Sequence, residues 1–132
     1  MCIGDRADAG RALNPGFFSR SGRGRPWVQL KMEMSLGGRT AMASGESQWI
    51  TGEPARADVH RLRARASAVA TGIETVLVDN PRLTPRAVET DRMPVRVVFD
   101  SQFRTPANSA LIAVESPVVL IGRANVLHIG RY

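Results

Sequence analysis

Polar side chains follow each of the first three predicted strands, where they could take part in chemistry. Ser35 follows the first predicted strand, Thr71 ends the second, and Asp100 and Ser101 follow the third. In an open α/β sheet, ligands bind at the edge formed by the carboxyl ends of the strands. Hydroxyl and carboxylate groups at that edge could bind the polar groups of a small ligand. The alternative is that these residues are polar only because strands end in loops.

Arginine supplies almost all of the positive charge. The chain of 132 residues has 18 lysines and arginines against 12 acidic residues, a net charge of +6, and Lys31 is its only lysine. Two or three guanidinium groups can bind a small anion in bidentate geometry, whereas nucleic acid requires a larger basic surface with stacking aromatics. The basic residues are scattered and few aromatics lie among them, so the pattern favours a small anionic ligand. A nucleic-acid binder would show a steep salt dependence of its retention on duplex DNA.

Four short segments have the sequence pattern of strands. Apolar and polar residues alternate over 27–34, which predicts a strand with one buried face. The apolar residues assigned to that face are Val28, Leu30, Met32 and Met34. Further strands are predicted over 68–70, 95–99 and 117–121.

Helical periodicity over 55–66 predicts a helix between the first two strands, with Thr51 as its N-cap. Residues 6–13 could form a short helix and residues 73–78 one helical turn, whereas the polar, glycine-rich residues 19–25 are typical of a linker. The order of strand, helix, strand, crossover and strand predicts an α/β domain with a mainly parallel sheet. Residues 1–25 are interpreted as a connector.

Composition excludes several classes of protein. Hydrophobic residues make up 43% and charged residues 23% of the chain, which is typical of a globular domain. Cys2 is the only cysteine, which excludes a disulfide framework and a cysteine-based zinc site within this chain, and we expect no metal site. No apolar run approaches the roughly 18 residues that span a bilayer, and no signal-peptide pattern is present. We therefore expect a cytoplasmic protein that does not bind membranes.

Several motifs are specific enough to indicate a family. They occupy residues 26–32, 44–51, 79–84 and 100–102, and the second reads Ser-Gly-Glu-Ser-Gln-Trp-Ile-Thr. Together they resemble the reductase domain of the bifunctional riboflavin-biosynthesis deaminase/reductase, over nearly the whole chain up to about Leu111. Residues 12–18 resemble the tail of the deaminase domain of that family. The resemblance implies that 1–25 is a linker with the deaminase tail and that 26–132 is a partial reductase domain.

This resemblance implies a dihydrofolate-reductase-like α/β fold, with helices flanking a mainly parallel sheet. The implied reaction is the NADPH-dependent reduction of the ribosyl group of 5-amino-6-(5-phosphoribosylamino)uracil to its ribityl form. Because the nicotinamide supplies the hydride, the protein positions two ligands and stabilises charge. The implied partners are this phosphorylated substrate and an upstream deaminase domain. Family members are often homo-oligomers, although the sequence leaves the oligomeric state open.

Matching positions in the family assign roles to individual residues. Lys31 would lie near the reacting sugar as a proton or charge donor, and Asp79 would share the catalytic site. The implied cofactor-binding residues are Glu33, Trp49, Thr75, Asp79 and Ser101. The implied substrate-binding residues are Ser47, Arg63, Leu83 and Arg86. Plainer interpretations are a solvated charge for each arginine and for Lys31, a core position for Trp49, and a turn-forming carboxylate for Asp79.

Three departures from the family pattern affect the expected activity. Gly37 stands where the family usually has an aspartate, and Glu33 replaces a small residue. The chain also lacks the glycine-rich segment that would bind the cofactor phosphates and a later substrate-binding glutamate. We therefore expect residues 1–132 alone to bind NADPH weakly or not at all. A noncatalytic fragment or a basic anion-binding module is the alternative function. His60 and His128 have no partner pattern and receive no role.

Overall fold

A computed structural model of the protein describes residues 7–45 and 50–130. Along the chain the elements are α1 (Ala7–Leu13), α2 (Pro15–Arg23), α3 (Glu53–Arg65), β1 (Ala68–Gly72), α4 (Ile73–Asp79), β2 (Val95–Phe99), β3 (Val118–Ile121) and β4 (Val126–Ile129). The chain divides into two units at residue 50, and each is described separately. Within the described ranges, no helix is both long enough and apolar enough to cross a membrane.

The first unit begins with the two short helices α1 and α2. Asn14 is the N-cap of α2, and its Oδ1 accepts a hydrogen bond of 3.2 Å from the N–H of Phe17. Pro15 occupies the first turn, and Gly24 ends the helix in the left-handed region at φ 62°. The short helix predicted over 6–13 is confirmed as α1. The linker predicted over 19–25 is wrong as far as Arg23, because these capping residues support a helix despite the polar, glycine-rich composition.

Residues 26–34 follow α2 without regular secondary structure. Val28, Leu30 and Met32 are 77%, 83% and 57% exposed, and Met34 is exposed as well. The prediction of a strand with a buried face over 27–34 is therefore wrong for the described structure. Alternation specifies which side chains would share a face, but a strand also needs a hydrogen-bonded neighbour, and this segment joins no sheet in the described ranges.

Ser35 therefore does not lie at the end of a strand. It closes a turn in which its N–H donates to the carbonyl of Arg39 at 2.9 Å and the N–H of Gly38 donates to its carbonyl at 2.8 Å. Gly38 has φ 74°, a value that glycine adopts without steric cost. The expectation that Ser35 belongs to a ligand-binding sheet edge is wrong for the described structure.

A four-stranded sheet in the order β1-β2-β3-β4 forms the centre of the second unit. β1 pairs with β2, and β2 with β3, in parallel, whereas β4 pairs with β3 in antiparallel orientation. The predicted mainly parallel sheet is confirmed, and β2 has the predicted bounds. β4 lies beyond the predicted strands and makes the sheet mixed.

Helix α3 precedes β1, as predicted, and α4 follows it. The N-cap of α3 is Gly52 rather than Thr51, and no side chain caps the helix, so the predicted cap is wrong by one residue. The turn predicted over 73–78 extends to Asp79 as α4. Buried residues of α4, of the strands and of the segment before β3 form the core: Ile73, Val76, Val98, Leu111, Val118 and Leu120.

Arg96 occupies the same buried face of β2 as Val98, because alternate residues of a strand share a face. Its side chain is fully buried, and the guanidinium donates to the carbonyls of Leu111, Val114 and Ser116, with 3.1 Å to that of Val114. Burial lowers the pKa of Arg96 below its ordinary value. One side chain thus binds three carbonyls of the irregular segment that precedes β3.

Asp100 directly follows β2 and closes the turn there. Its Oδ2 accepts hydrogen bonds of 2.8 Å from both the N–H and the hydroxyl of Thr105. Burial alone would raise the pKa of Asp100, but hydrogen bonds from the backbone of Arg104 and Gln102 and from Thr105 hold it below its ordinary value. Within this turn Phe103 has φ 53°, and its ring lies against Gly122, where a Cβ would be 2.5 Å from a ring carbon.

Replacing Arg96 with methionine should destabilise the fold, because the Arg96→Met side chain cannot donate to the carbonyls that the guanidinium binds. Buried acceptors without partners cost about 1–3 kcal/mol each, partly offset here by removal of a buried charge, so we expect a loss of about 2–3 kcal/mol. Urea denaturation measures the free energy of unfolding. Arg123→Met, at an exposed position, is the control and should change it by less than about 0.5 kcal/mol. Equal losses in the two variants would contradict the role given to Arg96.

The Asp100 carboxylate should make stability depend on pH in the acid range. Its pKa is depressed in the folded state, so its contribution is present above the unfolded pKa of about 3.9 and is lost as the pH falls through the folded pKa. The Asp100→Asn side chain keeps an acceptor for Thr105 but does not titrate. On acidification, the free energy of unfolding of this variant should therefore fall by about 1 kcal/mol less than that of the wild type. Denaturant midpoints measured from neutral to acid pH test this, with Asp91→Asn, at an exposed position, retaining the wild-type profile.

Candidate functional site

The residues predicted to form the site lie in three parts of the chain. Lys31 and Glu33 belong to the first unit. Ser47 and Trp49 lie outside the described residues. The second unit contains the others, which are Arg63, Thr75, Asp79, Leu83, Arg86 and Ser101.

Lys31 and Glu33 form an ion pair with each other. The two residues are two positions apart in a segment without regular secondary structure. The side chain of Lys31 is 46% exposed and that of Glu33 is 28% exposed. Glu33 therefore compensates the charge of Lys31, the only lysine in the sequence.

Two arginines approach each other beside the second half of α3. Arg63 is half-buried, and its Nη1 lies 3.4 Å from the carbonyl oxygen of Thr84, to which it donates. Burial lowers the pKa of Arg63 below its ordinary value, and repulsion from Arg86 lowers it further. The salt bridges among the described residues involve neither arginine. Their combined positive charge is suited to an anion. We call Arg63 and Arg86 the arginine pair.

The loop that carries Arg86 holds an unusual backbone conformation. Asn80, Leu83 and Ala87 have φ values of 42°, 58° and 55°, in the left-handed region that non-glycine residues rarely adopt. Leu83 and Thr84 are buried, and Oδ1 of Asn80 accepts a hydrogen bond of 2.7 Å from the N–H of Ala110. Nη1 of Arg96 lies 3.5 Å from the carbonyl of Arg82. Packing and hydrogen bonds thus hold a strained loop, as is typical of binding sites.

His60 is a residue of this region that the sequence did not identify. Its Nδ1 accepts a hydrogen bond of 3.1 Å from the backbone N–H of Arg86. Burial lowers the pKa of His60, the charges of Arg63 and Arg86 lower it further, and a hydrogen bond with the backbone of Thr84 opposes them. The imidazole is therefore neutral at neutral pH. His60 lies three residues before Arg63, a spacing that puts both on one face of α3 and could have indicated the association.

A second group of polar residues lies where β1 and β2 end. Gly72 and Phe99 are register partners, so the residues that follow them leave the same edge of the sheet. Thr75 is exposed in the first turn of α4, and Ser101 is exposed in the turn after β2. An ion pair between Glu74 and Arg104, their near neighbours in the chain, connects that helix to that turn.

The donor set at this edge suits an organic ligand. Exposed hydroxyl groups such as those of Thr75 and Ser101 can bond the ribose, amide and phosphate groups of a dinucleotide. Asp79 is at the opposite end of α4, directly before the loop of the arginine pair. In the described part of the chain, no three His, Cys, Asp or Glu side chains are grouped to hold a metal ion.

Comparison with known proteins identifies the family. The family model of the RibD C-terminal domain matches residues 26–127. The riboflavin biosynthesis protein RibD of Haemophilus influenzae is 45% identical over 126 residues, which cover 86% of this chain and 34% of that protein. RibD of Escherichia coli is 50% identical over 109 residues, covering 73% of this chain and 30% of that protein. The chain thus spans about a third of the length of these relatives.

Solved structures agree with the sequence comparison. Acinetobacter baumannii RibD is 42% identical and superimposes with a TM-score of 0.81 over 87% of this chain and 34% of its own. A Thermotoga maritima deaminase/5-amino-6-(5-phosphoribosylamino)uracil reductase is 35% identical, with a TM-score of 0.77 over 86% of this chain and 32% of its own. The resemblance expected from the motifs is confirmed. The chain belongs to the RibD C-terminal domain family and has the dihydrofolate-reductase-like fold of its reductase domains.

Proposed function

We propose that the protein containing this chain reduces the ribosyl group of 5-amino-6-(5-phosphoribosylamino)uracil to the ribityl form in riboflavin biosynthesis, with NADPH as the reductant. Membership of the RibD C-terminal domain family supports the reaction class. The observation that carries the proposal for this chain is the arginine pair. Two neighbouring guanidinium groups, neither in a salt bridge within the described residues, fit the phosphate of this substrate.

The substrate phosphate would bind between α3 and the loop after α4. A ribose phosphate carries up to two negative charges, which two guanidinium groups can compensate through bidentate hydrogen bonds. Arg63 is held by the carbonyl of Thr84 and Arg86 by the imidazole of His60. The guanidinium of Arg63 and the backbone of Arg86 are therefore held in place before the ligand arrives, which lowers the entropic cost of binding. Buried Leu83 would shape the adjoining substrate contact. The family resemblance adds Ser47 as a proposed substrate-binding residue.

The cofactor would bind along the edge formed by the ends of β1 and β2. Thr75 and Ser101 would bond its polar groups at this edge. The family resemblance adds Asp79, Trp49 and Glu33 as proposed cofactor contacts. When bound, NADPH supplies the hydride that reduces the sugar. The task of the chain is then to hold both ligands in reacting distance and to compensate charge. Lys31 would donate charge or a proton near the sugar, and its pairing with Glu33 would set the position of its Nζ.

Partners and location follow from the same proposal. Relatives such as the Thermotoga maritima protein are named as both deaminase and reductase, so we propose a deaminase domain as the partner of this domain. We also propose a homo-oligomer in the cytoplasm, without nucleic-acid or membrane partners. The 1–25 segment would connect the two domains, and 26–132 would be the reductase part.

Removing either member of the arginine pair should weaken substrate binding. Charge-assisted hydrogen bonds contribute about 1.5–3 kcal/mol, so Arg63→Ala and Arg86→Ala should each raise KM by about ten- to a hundredfold. The kcat should change little, because a phosphate remote from the reacting carbon is bound alike in the ground and transition states. The rate is followed as loss of NADPH absorbance, with the protein purified as its gene encodes it.

Arg65→Ala is the matched control for this experiment. Arg65 is exposed on the same helix, two residues from Arg63, and should leave KM unchanged. If all three variants behave alike, the phosphate does not bind to the arginine pair. If the wild-type protein binds ribose 5-phosphate through this pair but never oxidises NADPH with the substrate, the chain is an anion-binding module and not a reductase.

A further inference from the structure

We propose that His60 is a positioning residue for the phosphate site, which holds Arg86 in place by accepting the backbone N–H of Arg86 on its Nδ1. This inference rests on the proposed function only in taking the phosphate as the anion bound by the arginine pair. It assigns a role to a residue that would not itself touch the substrate. The geometry of α3 and the loop of residues 80–87 carries it.

The hydrogen bond fixes the chemical state of the imidazole. Nδ1 lies 3.1 Å from the N–H of Arg86 and must be unprotonated to accept it. A neutral imidazole has one protonated nitrogen, so the proton resides on Nε2. The lowered pKa of His60 is consistent with this neutral form at physiological pH. The charged groups acting on the ring are Arg63 of α3 and Arg86 of the loop.

Helix α3 holds the loop at two points that are separated by one residue. Arg63 donates to the carbonyl of Thr84, and His60 accepts from the N–H of Arg86. Between these points is Pro85, which has no N–H to offer. Leu83 and Ala87, on either side, have positive φ values. The loop therefore depends on its surroundings for its conformation, and the bond to His60 is the contact that acts directly on the backbone of Arg86.

The side chain of Arg86 is exposed, so packing alone constrains it weakly. A long exposed side chain loses conformational entropy when it binds an anion, and a fixed backbone limits that loss. Without the acceptor at His60, the backbone of Arg86 would sample more conformations and the guanidinium would meet the phosphate less often. The expected consequence is weaker phosphate binding with the fold intact.

Two substitutions separate the acceptor from the rest of the side chain. His60→Asn retains an amide oxygen near the position of Nδ1, whereas His60→Leu retains bulk without an acceptor. The probe is ribose 5-phosphate, titrated by calorimetry into the protein as its gene encodes it. We expect His60→Leu to raise the Kd by about three- to tenfold, the value of one hydrogen bond, and His60→Asn to stay within about twofold of the wild type.

A double-mutant cycle distinguishes positioning from general damage. In an Arg86→Ala background, His60→Leu should cause no further loss of affinity, because the guanidinium that it positions is absent. In an Arg63→Ala background it should still weaken binding by the same factor. Nitrogen NMR of the imidazole should show an unprotonated Nδ1 and a protonated Nε2. A thermal melt of each variant confirms that the fold is retained.

The outcomes are distinct for this inference and for the proposed function. If Arg63→Ala and Arg86→Ala lose affinity while His60→Leu binds like the wild type, His60 has no positioning role and the phosphate site stands. Equal losses from His60→Leu in both arginine backgrounds, or protonation at Nδ1, also overturn it. If ribose 5-phosphate does not bind, or binds equally well without both arginines, the phosphate site and this inference are wrong together.

Discussion

The guanidinium group of Arg96, on the buried face of the sheet, contacts two irregular segments of the second unit, which are the loop after α4 and the segment before β3. Arg96 bonds the carbonyls of Leu111, Val114 and Ser116, and its Nη1 also lies near the carbonyl of Arg82. Backbone carbonyls in irregular segments must find donors when they are buried. A single planar side chain with five donors meets that need for two segments distant in sequence. The loop of the arginine pair is therefore connected to the sheet through β2.

The same loop is fixed on its other side by α3, and the two supports explain how it keeps a strained conformation. Asn80 is held by the N–H of Ala110, which belongs to the segment that Arg96 binds. Thr84 and Arg86 are held by residues of α3. The conformational cost at Leu83 and Ala87 is thus offset by contacts from both sides. The repulsion between Arg63 and Arg86 is a further cost, which a bound anion would remove.

An element of this fold could be predicted from the sequence where its own residues and borders specify it. It could not be predicted where it depends on pairing with a distant segment. β2 was predicted with its observed bounds, because it is rich in valine and Pro94 and Asp100 border it. The segment 27–34 has a clear alternation of apolar and polar residues and still forms no strand, because periodicity specifies a face and not the neighbour that must pair with it. α2 was missed because its composition is typical of a linker, whereas its caps at Asn14 and Gly24 are specific to a helix.

The candidate site was only partly predictable from the sequence. The family resemblance assigned Arg63 and Arg86 together as substrate-binding residues, and in the structure the charge of Arg86 acts on Arg63. The supporting contacts of His60 and Arg96 could not be predicted, because each joins residues at least fourteen positions apart through a backbone group. The available signals were local. His60 lies three residues before Arg63 on α3, and Arg96 shares a strand face with Val98, where a buried charge needs partners.

The contact between Phe103 and Gly122 restricts how this protein can vary in sequence. A ring at position 103 occupies the space that any side chain at position 122 would need. A larger residue at 122 would have to be accompanied by a smaller one at 103, so the two positions are expected to change together. Ser101 belongs to the same turn as Phe103. A larger residue at position 122 would therefore displace the Phe103 ring, and with it the hydroxyl group of Ser101 at the sheet edge.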